Sequence, residues 1–162
     1  MSIRSVLVGT AAGAVGTIAL DIATYADMAL RGRPSSEAPA TMVKNVAASA
    51  GIEPLAADDD AAKNRRSGTG ALLGYANGLA VGAVYGAIRP AVRGRVPLAV
   101  AALAAGAAAM ALSDVPLVKT GATDPKKWGA SGWLADIVPH ILYGVALAFA
   151  FDALQESGAD RR

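Results

Sequence analysis

The sequence predicts an all-α polytopic membrane protein: a four-transmembrane-helix bundle with a short amphipathic helix in its first long loop. Three observations lead there. First, charge is sparse in four long stretches. Ser67–Ile88 and Val96–Ser113 carry none, Trp128–Phe151 carries only Asp136 and His140, and Ser5–Leu30 only Asp21 and Asp27. A membrane helix needs about 20 largely apolar residues. Second, the 162 residues are 54% hydrophobic and 17% charged, with a mean hydropathy of +0.40. Third, glycine recurs every fourth residue at Gly70, Gly74, Gly78, Gly82 and Gly86.

The elements follow in order as one membrane domain over 1–162. The first helix is expected over about 5–30, running from side A of the membrane to side B and stopping at the basic, helix-breaking Arg31-Gly32-Arg33-Pro34. Its start resembles a secretion signal. The apolar pattern continues through two aspartates to Leu30, however, so the segment is expected to stay attached. A long connection over 31–66 follows on side B. Within it, Pro39–Ala50 reads as a short helix ended by Gly51, its apolar face of Val43, Val46, Ala47 and Ala50 suited to the membrane surface. Asp58-Asp59-Asp60 is expected to start a separate short turn, with Arg65-Arg66 at the membrane boundary.

The second helix, about 67–88, returns to side A and a brief loop with Arg89, Pro90, Arg93 and Arg95. The third, about 96–115, crosses to side B and is expected to stop at Pro116. The fourth, about 131–154, returns to side A, with Trp128 and Trp133 as interfacial anchors. Both termini therefore share side A. Side A holds Arg4, Arg89, Arg93, Arg95, Arg161 and Arg162, and side B holds nine Lys/Arg over longer loops. A short loop with three arginines is hard to translocate, which predicts side A in the cytoplasm and the chain in the inner (plasma) membrane.

Composition also excludes. No cysteine is present, so disulfide and thiolate chemistry are absent, and one histidine cannot build a multi-His metal site. A formal charge of +2 gives no nucleic-acid footprint. No phosphate loop, metal-ligand spacing or nucleophile–base set occurs, so neither cofactor nor enzymatic activity is expected.

Apolar helices in lipid gain nothing from burying apolar surface, so they associate through close packing and interhelical hydrogen bonds. The glycine ladder removes side chains for a close approach. Each step of four residues overshoots a turn by about 40°, so five glycines drift around the helix and suit more than one straight neighbour. Gly9, Gly13 and Gly16 of the first helix lie near side A, as do Gly82 and Gly86, and the Ala101–Ala109 run begins there. The side-A half is therefore expected to be tightly packed.

Topology sends the polar residues to the other half. Asp21, Thr24, Tyr25 and Asp27 come late in the first helix, Tyr75 and Asn77 early in the second, and Asp114 ends the third. Asp136 and His140 come early in the fourth, four residues apart on one face. An aspartate at a helix centre costs about 2.5–3.5 kcal/mol, while each Leu, Ile or Val returns roughly 0.3–0.6. Asp21 must therefore face the bundle and either find a partner, with Asn77 and His140 as candidates, or take up a proton. Asp21, Thr24, Asn77, Asp114, Asp136 and His140 form the candidate intramembrane polar site, either as glue fixing helix register or as a proton- or cation-responsive pocket.

GTAAGAVGTIALDIATYADMALRGRPSS (9–36), SDVP (113–116) and WLADIVPHILYG (133–144) resemble small, uncharacterised four-helix membrane proteins of actinobacteria. A fainter similarity, limited to the Gly-rich first helix, is to the YagU-like inner-membrane family. The resemblance implies the same topology and draws attention to Asp21, Asp114, Asp136 and His140 without giving them roles. The leading expectation is a non-enzymatic accessory subunit or self-associating packing scaffold, because the ladder offers more grooves than one intrachain partner needs. The alternative is a small transporter or lipid-handling module with a polar half-membrane cavity around Asp21, Asn77, Asp136 and His140.

Overall fold

A computed structural model describes residues 2–157; Arg161 and Arg162, counted above on side A, lie outside the described residues. The elements are α1 (Ile3–Arg31), α2 (Ala38–Ala50), α3 (Glu53–Ala56), α4 (Asp60–Val92), α5 (Leu98–Lys119) and α6 (Gly129–Ser157), with a 3-10 turn at Pro125–Lys127. Among the described residues all regular structure is helical, and α1, α4, α5 and α6 are long and apolar enough to cross a membrane. Leu7, Ile18, Ile22, Leu72, Val84, Leu103, Leu112 and Phe149 are each more than half exposed on the outside of the bundle. A bundle folded for water would turn such residues inward.

The four long helices run up and down, with α1 packed against α4 and α6, and α5 against α6 and, less extensively, α4. The contacts run in opposite senses along each pair, Gly9 meeting Gly86 while Gly13 meets Gly82, and Gly106 meeting His140 while Gly144 meets Ala102, so these neighbours are antiparallel. The Gln155 side chain donates to Ser5 Oγ at 3.2 Å, so the start of α1 and the end of α6 meet at one end, called end A below.

Local chemistry sets the helix ends. Ser2 caps α1 by accepting from the Ser5 amide at 3.1 Å. Gly32 (φ 65°) closes it in the left-handed conformation that glycine adopts freely. Gly51 ends α2 in the same way, as its position in the sequence predicts.

Four expectations about elements are corrected. The aspartates at 58–60 do not begin a separate turn; Asp59 caps α4 itself, accepting from the Ala62 amide at 2.7 Å, and the helix continues through Arg65-Arg66. Arg66 is buried, donating from Nη1 to the carbonyls of Leu55 (3.1 Å) and Ala57 (2.6 Å), so it ties α3 to α4. Pro90 and Arg89 lie inside α4 rather than in a loop, and buried Arg89 donates to the Val96 carbonyl at 2.7 Å. Pro116 does not stop α5, which runs on to Lys119. A proline removes one intrahelical donor, and here the next turn is held from outside: Asn45 of α2 donates to the Thr120 carbonyl at 2.8 Å. Finally, α2 does not turn its whole apolar face outward: it buries Val43 and Ala47 and packs over α4, while Val46 and Ala50 stay exposed.

The closed half of the bundle lies toward end A. A Cβ placed on Gly82 would lie 2.7 Å from Gly13 Cα, and one on Gly9 would lie 2.7 Å from Gly86 Cα. The two backbones touch. A Cβ on Gly16 would meet the Tyr143 ring at 2.8 Å. The α5–α6 seam repeats the device: a Cβ on Gly144 would lie 2.7 Å from the Gly106 amide nitrogen. Around these contacts lie Ala12, Val81, Tyr85, Ala102, Ala105, Leu147, Ala148 and Phe151, with Tyr85 and Phe151 edge to face at 5.3 Å. The ladder's contact with α1 does not continue to its start. Gly70 meets Pro39 of α2, where a Cβ would approach Pro39 Cβ at 3.0 Å, and Gly74 has no neighbour within 4 Å.

Candidate functional site: a polar cavity in one half of the bundle

Beyond Gly78 the helices part around a cavity of about 770 Å³. Its floor is Tyr143, 1% exposed, whose hydroxyl donates to the Gly78 carbonyl at 2.6 Å. Thr17 sits beside it, its hydroxyl turned back onto the Gly13 carbonyl at 3.0 Å. The walls come from α1, α4, α5 and α6, and the rim from residues 33–40 between α1 and the first turn of α2.

All six residues of the predicted polar site line this one cavity: Asp21, Thr24, Asn77, Asp114, Asp136 and His140. Their pairings differ from expectation. Asp21 is bridged neither to Asn77 nor to His140; it accepts from the Tyr75 hydroxyl at 3.0 Å. That bond spans α1 and α4 where their backbones have separated. Asn77 instead donates to the Ala109 carbonyl (3.0 Å) and Ser113 Oγ (2.8 Å), which ties α4 to α5. Asp27 lies away from the cavity centre, held by Arg31 through two bonds of 2.5 and 2.7 Å and by Arg33.

Asp136 and His140 pair along α6 in the cavity wall. His140 Nδ1 lies 2.8 Å from the Asp136 backbone carbonyl and 3.3 Å from Asp136 Oδ1. Both neighbours accept, so Nδ1 carries a hydrogen. Asp114 of α5 lines the same cavity. Asp136 Oδ2 is buried with no hydrogen-bond donor. Pro139, one residue before His140, lacks an amide hydrogen, so the Ala135 carbonyl on the cavity wall loses its helical donor. No three His, Asp or Glu side chains converge as metal ligands among the described residues.

Three contributors are not in the predicted set. Tyr143 forms the floor, Tyr75 holds Asp21, and Trp128 lines the cavity while donating from Nε1 to Thr123 at 2.8 Å and packing on Trp133 at 4.9 Å. Tyr143 stands at helical spacing (i, i+3) from His140 and Tyr75 two residues before Asn77, but the register between helices, which no spacing encodes, decides what they touch.

Comparison of the chain with protein-family models, with curated proteins and with solved structures returns no match.

Proposed function

We propose that the chain is a multi-pass membrane protein whose hollow half binds a ligand within the membrane, as a small transport or lipid-handling module. The observation carrying this reading is that six polar residues from four separate helices line one cavity of about 770 Å³, above a floor sealed by Tyr143. Ligand pockets typically measure roughly 300–1,000 Å³ and combine apolar walls with a few convergent polar groups. Polar glue alone would leave these side chains satisfying one another. Asp136 Oδ2 is instead buried without a donor. The membrane itself is supported by the four long apolar helices and their exposed apolar outer faces.

The scaffold reading rested on surplus glycine grooves. Gly82 and Gly86 are taken up by α1, Gly78 by Thr17 and Tyr143, and Gly70 by α2, while Gly74 borders the cavity. We place end A in the cytoplasm, because Arg93 and Arg95 lie in the short connection between α4 and α5. The cavity then opens to the opposite side. The chain has no cysteine, so single cysteines introduced at Ser36 and Arg95 report this orientation cleanly by impermeant labelling.

Gly74→Phe tests the cavity directly, since nothing lies within 4 Å of a Cβ there and the ring enters the space. Native mass spectrometry of protein released from a mild detergent should show a retained small molecule in the wild type and its loss in the folded variant. Identical spectra with no cavity-dependent ligand would sink the reading. A stable multimer in both would restore the scaffold.

A further inference from the structure

Resting on the cavity reading, we infer that the ligand is an organic cation: a protonated or quaternary ammonium group carrying apolar substituents. The charge inventory comes first. Asp21, Glu37, Asp114 and Asp136 line the cavity. Against them stand Arg33, whose guanidinium is already engaged by Asp27, and His140, engaged by Asp136. An anion entering this space would meet four carboxyl groups and find no free guanidinium. The Asn77 amide is already spent on Ala109 and Ser113, so the strongest unspent polar groups of the lining are acceptors rather than donors.

The Asp114–Asp136 pair sharpens the point. Both line the one cavity, and carboxylates that share a site repel unless a proton or a cation lies beside them. Asp136 Oδ2, buried and lacking a donor, marks where such a charge is wanted. A small hard metal ion would need six or more oxygen ligands, and no third ligand converges there among the described residues. A larger, weakly hydrated cation needs only diffuse negative charge and ring faces. Tyr25, Tyr75 and Trp128 supply rings around the upper cavity and Tyr143 one below. Cations over such faces gain about 0.5–2 kcal/mol. Leu20, Met28 and Leu117 provide apolar wall for the substituents. The ammonium has two chemical sources, a zwitterionic lipid headgroup or a free organic cation.

The test uses the full-length protein in maltoside detergent and two probes of one shape and opposite charge, tetraphenylphosphonium and tetraphenylborate, measured by calorimetry. The phosphonium should bind at least about tenfold more tightly, or ~1.4 kcal/mol. Asp136→Asn and Asp21→Asn should each narrow that preference, and Gly74→Phe should remove binding. Equal or tighter borate binding that is still abolished by Gly74→Phe overturns the cation assignment and leaves the cavity standing. Binding of neither probe in a Gly74-dependent way removes the cavity reading as well. The sources separate in nanodiscs of phosphatidylethanolamine or of phosphatidylglycerol. Displacement of retained phosphatidylethanolamine by the phosphonium supports a headgroup ligand, and phosphonium binding with no lipid displaced supports a free cation.

Discussion

The Tyr143 hydroxyl donates to the Gly78 carbonyl at 2.6 Å, and this bond sits where the bundle changes from closed to hollow. Toward end A, α1 and α4 are in backbone contact at Gly9, Gly13, Gly82 and Gly86. Toward the other end they are joined across the cavity by Tyr75 and Asp21. Tyr143→Phe keeps the ring and removes the donor. Interhelical hydrogen bonds of this kind are worth about 0.6–1 kcal/mol, so the variant should melt slightly lower in detergent. Its larger effect should be a floor that admits a deeper ligand, read as altered phosphonium affinity.

Glycine substitutions should divide along the same line. Gly82→Ala places a methyl group 2.7 Å from Gly13 Cα, against backbone that has no side chain to move aside. Overpacking of that kind costs about 1–3 kcal/mol. Gly74→Ala meets nothing within 4 Å and restricts the unfolded chain, so it should be neutral or stabilising by about 0.4–1 kcal/mol. Thermal unfolding of the two variants side by side checks the division; equal losses would contradict it.

Asp21→Asn and Tyr75→Phe separate structure from charge. The asparagine oxygen still accepts from the Tyr75 hydroxyl, so the α1–α4 bridge and the melting temperature should persist while cation binding weakens. Tyr75→Phe removes the bridge and leaves the carboxyl group. It should lower stability slightly and preserve the charge preference. Similar binding profiles for the two variants would show that Asp21 acts only as a packing partner.

Arg66→Ala should loosen the 53–59 turn without opening the bundle. Two carbonyls, Leu55 and Ala57, lose a charged donor, at about 1.5–3 kcal/mol per charge-assisted bond where the site is buried. Limited proteolysis should show faster cleavage near Asp58. Wild-type resistance in the variant would mean that packing alone holds the turn.

Outside the spanning segments, Lys44 donates to Asp58 and holds its carboxyl group below the ordinary carboxylate value. A lowered folded value means the unfolded chain binds more protons as pH falls through this range. The contribution is therefore present above about pH 4 and fades as pH drops through the lowered value. Asp58 is exposed, so the effect is small. The melting difference between wild type and Asp58→Asn should be largest near neutral pH, shrink with added salt and vanish in acid. A difference that grows in acid would reverse the sign.

The sequence by itself determined the number of long helices, their order and the sorting of small residues to one half and polar residues to the other. Uncharged runs of about 20 residues and an up-and-down path settle those matters without any knowledge of contacts. The positions of Asp21, Thr24, Asn77, Asp114, Asp136 and His140 along their helices were enough to gather them at one end, and all six line one cavity. Helix ends were legible where glycine marks them, at Gly32 and Gly51, and illegible at Pro90 and Pro116. A proline removes only one donor, and contacts from elsewhere, such as Asn45 on Thr120, hold the following turn.

Only the tertiary structure decided which polar groups meet. Asp21 pairs with Tyr75 rather than His140, and Asn77 joins α5 rather than α1, because partner choice depends on helix rotation and register. Those are set by backbone contacts at Gly9, Gly13, Gly82 and Gly86, a helical turn or more away from the residues they bring together. The ladder's last consequence is a space. Where glycine contact ends at Gly78, the helices part, and Gly74 borders the cavity instead of a neighbouring helix.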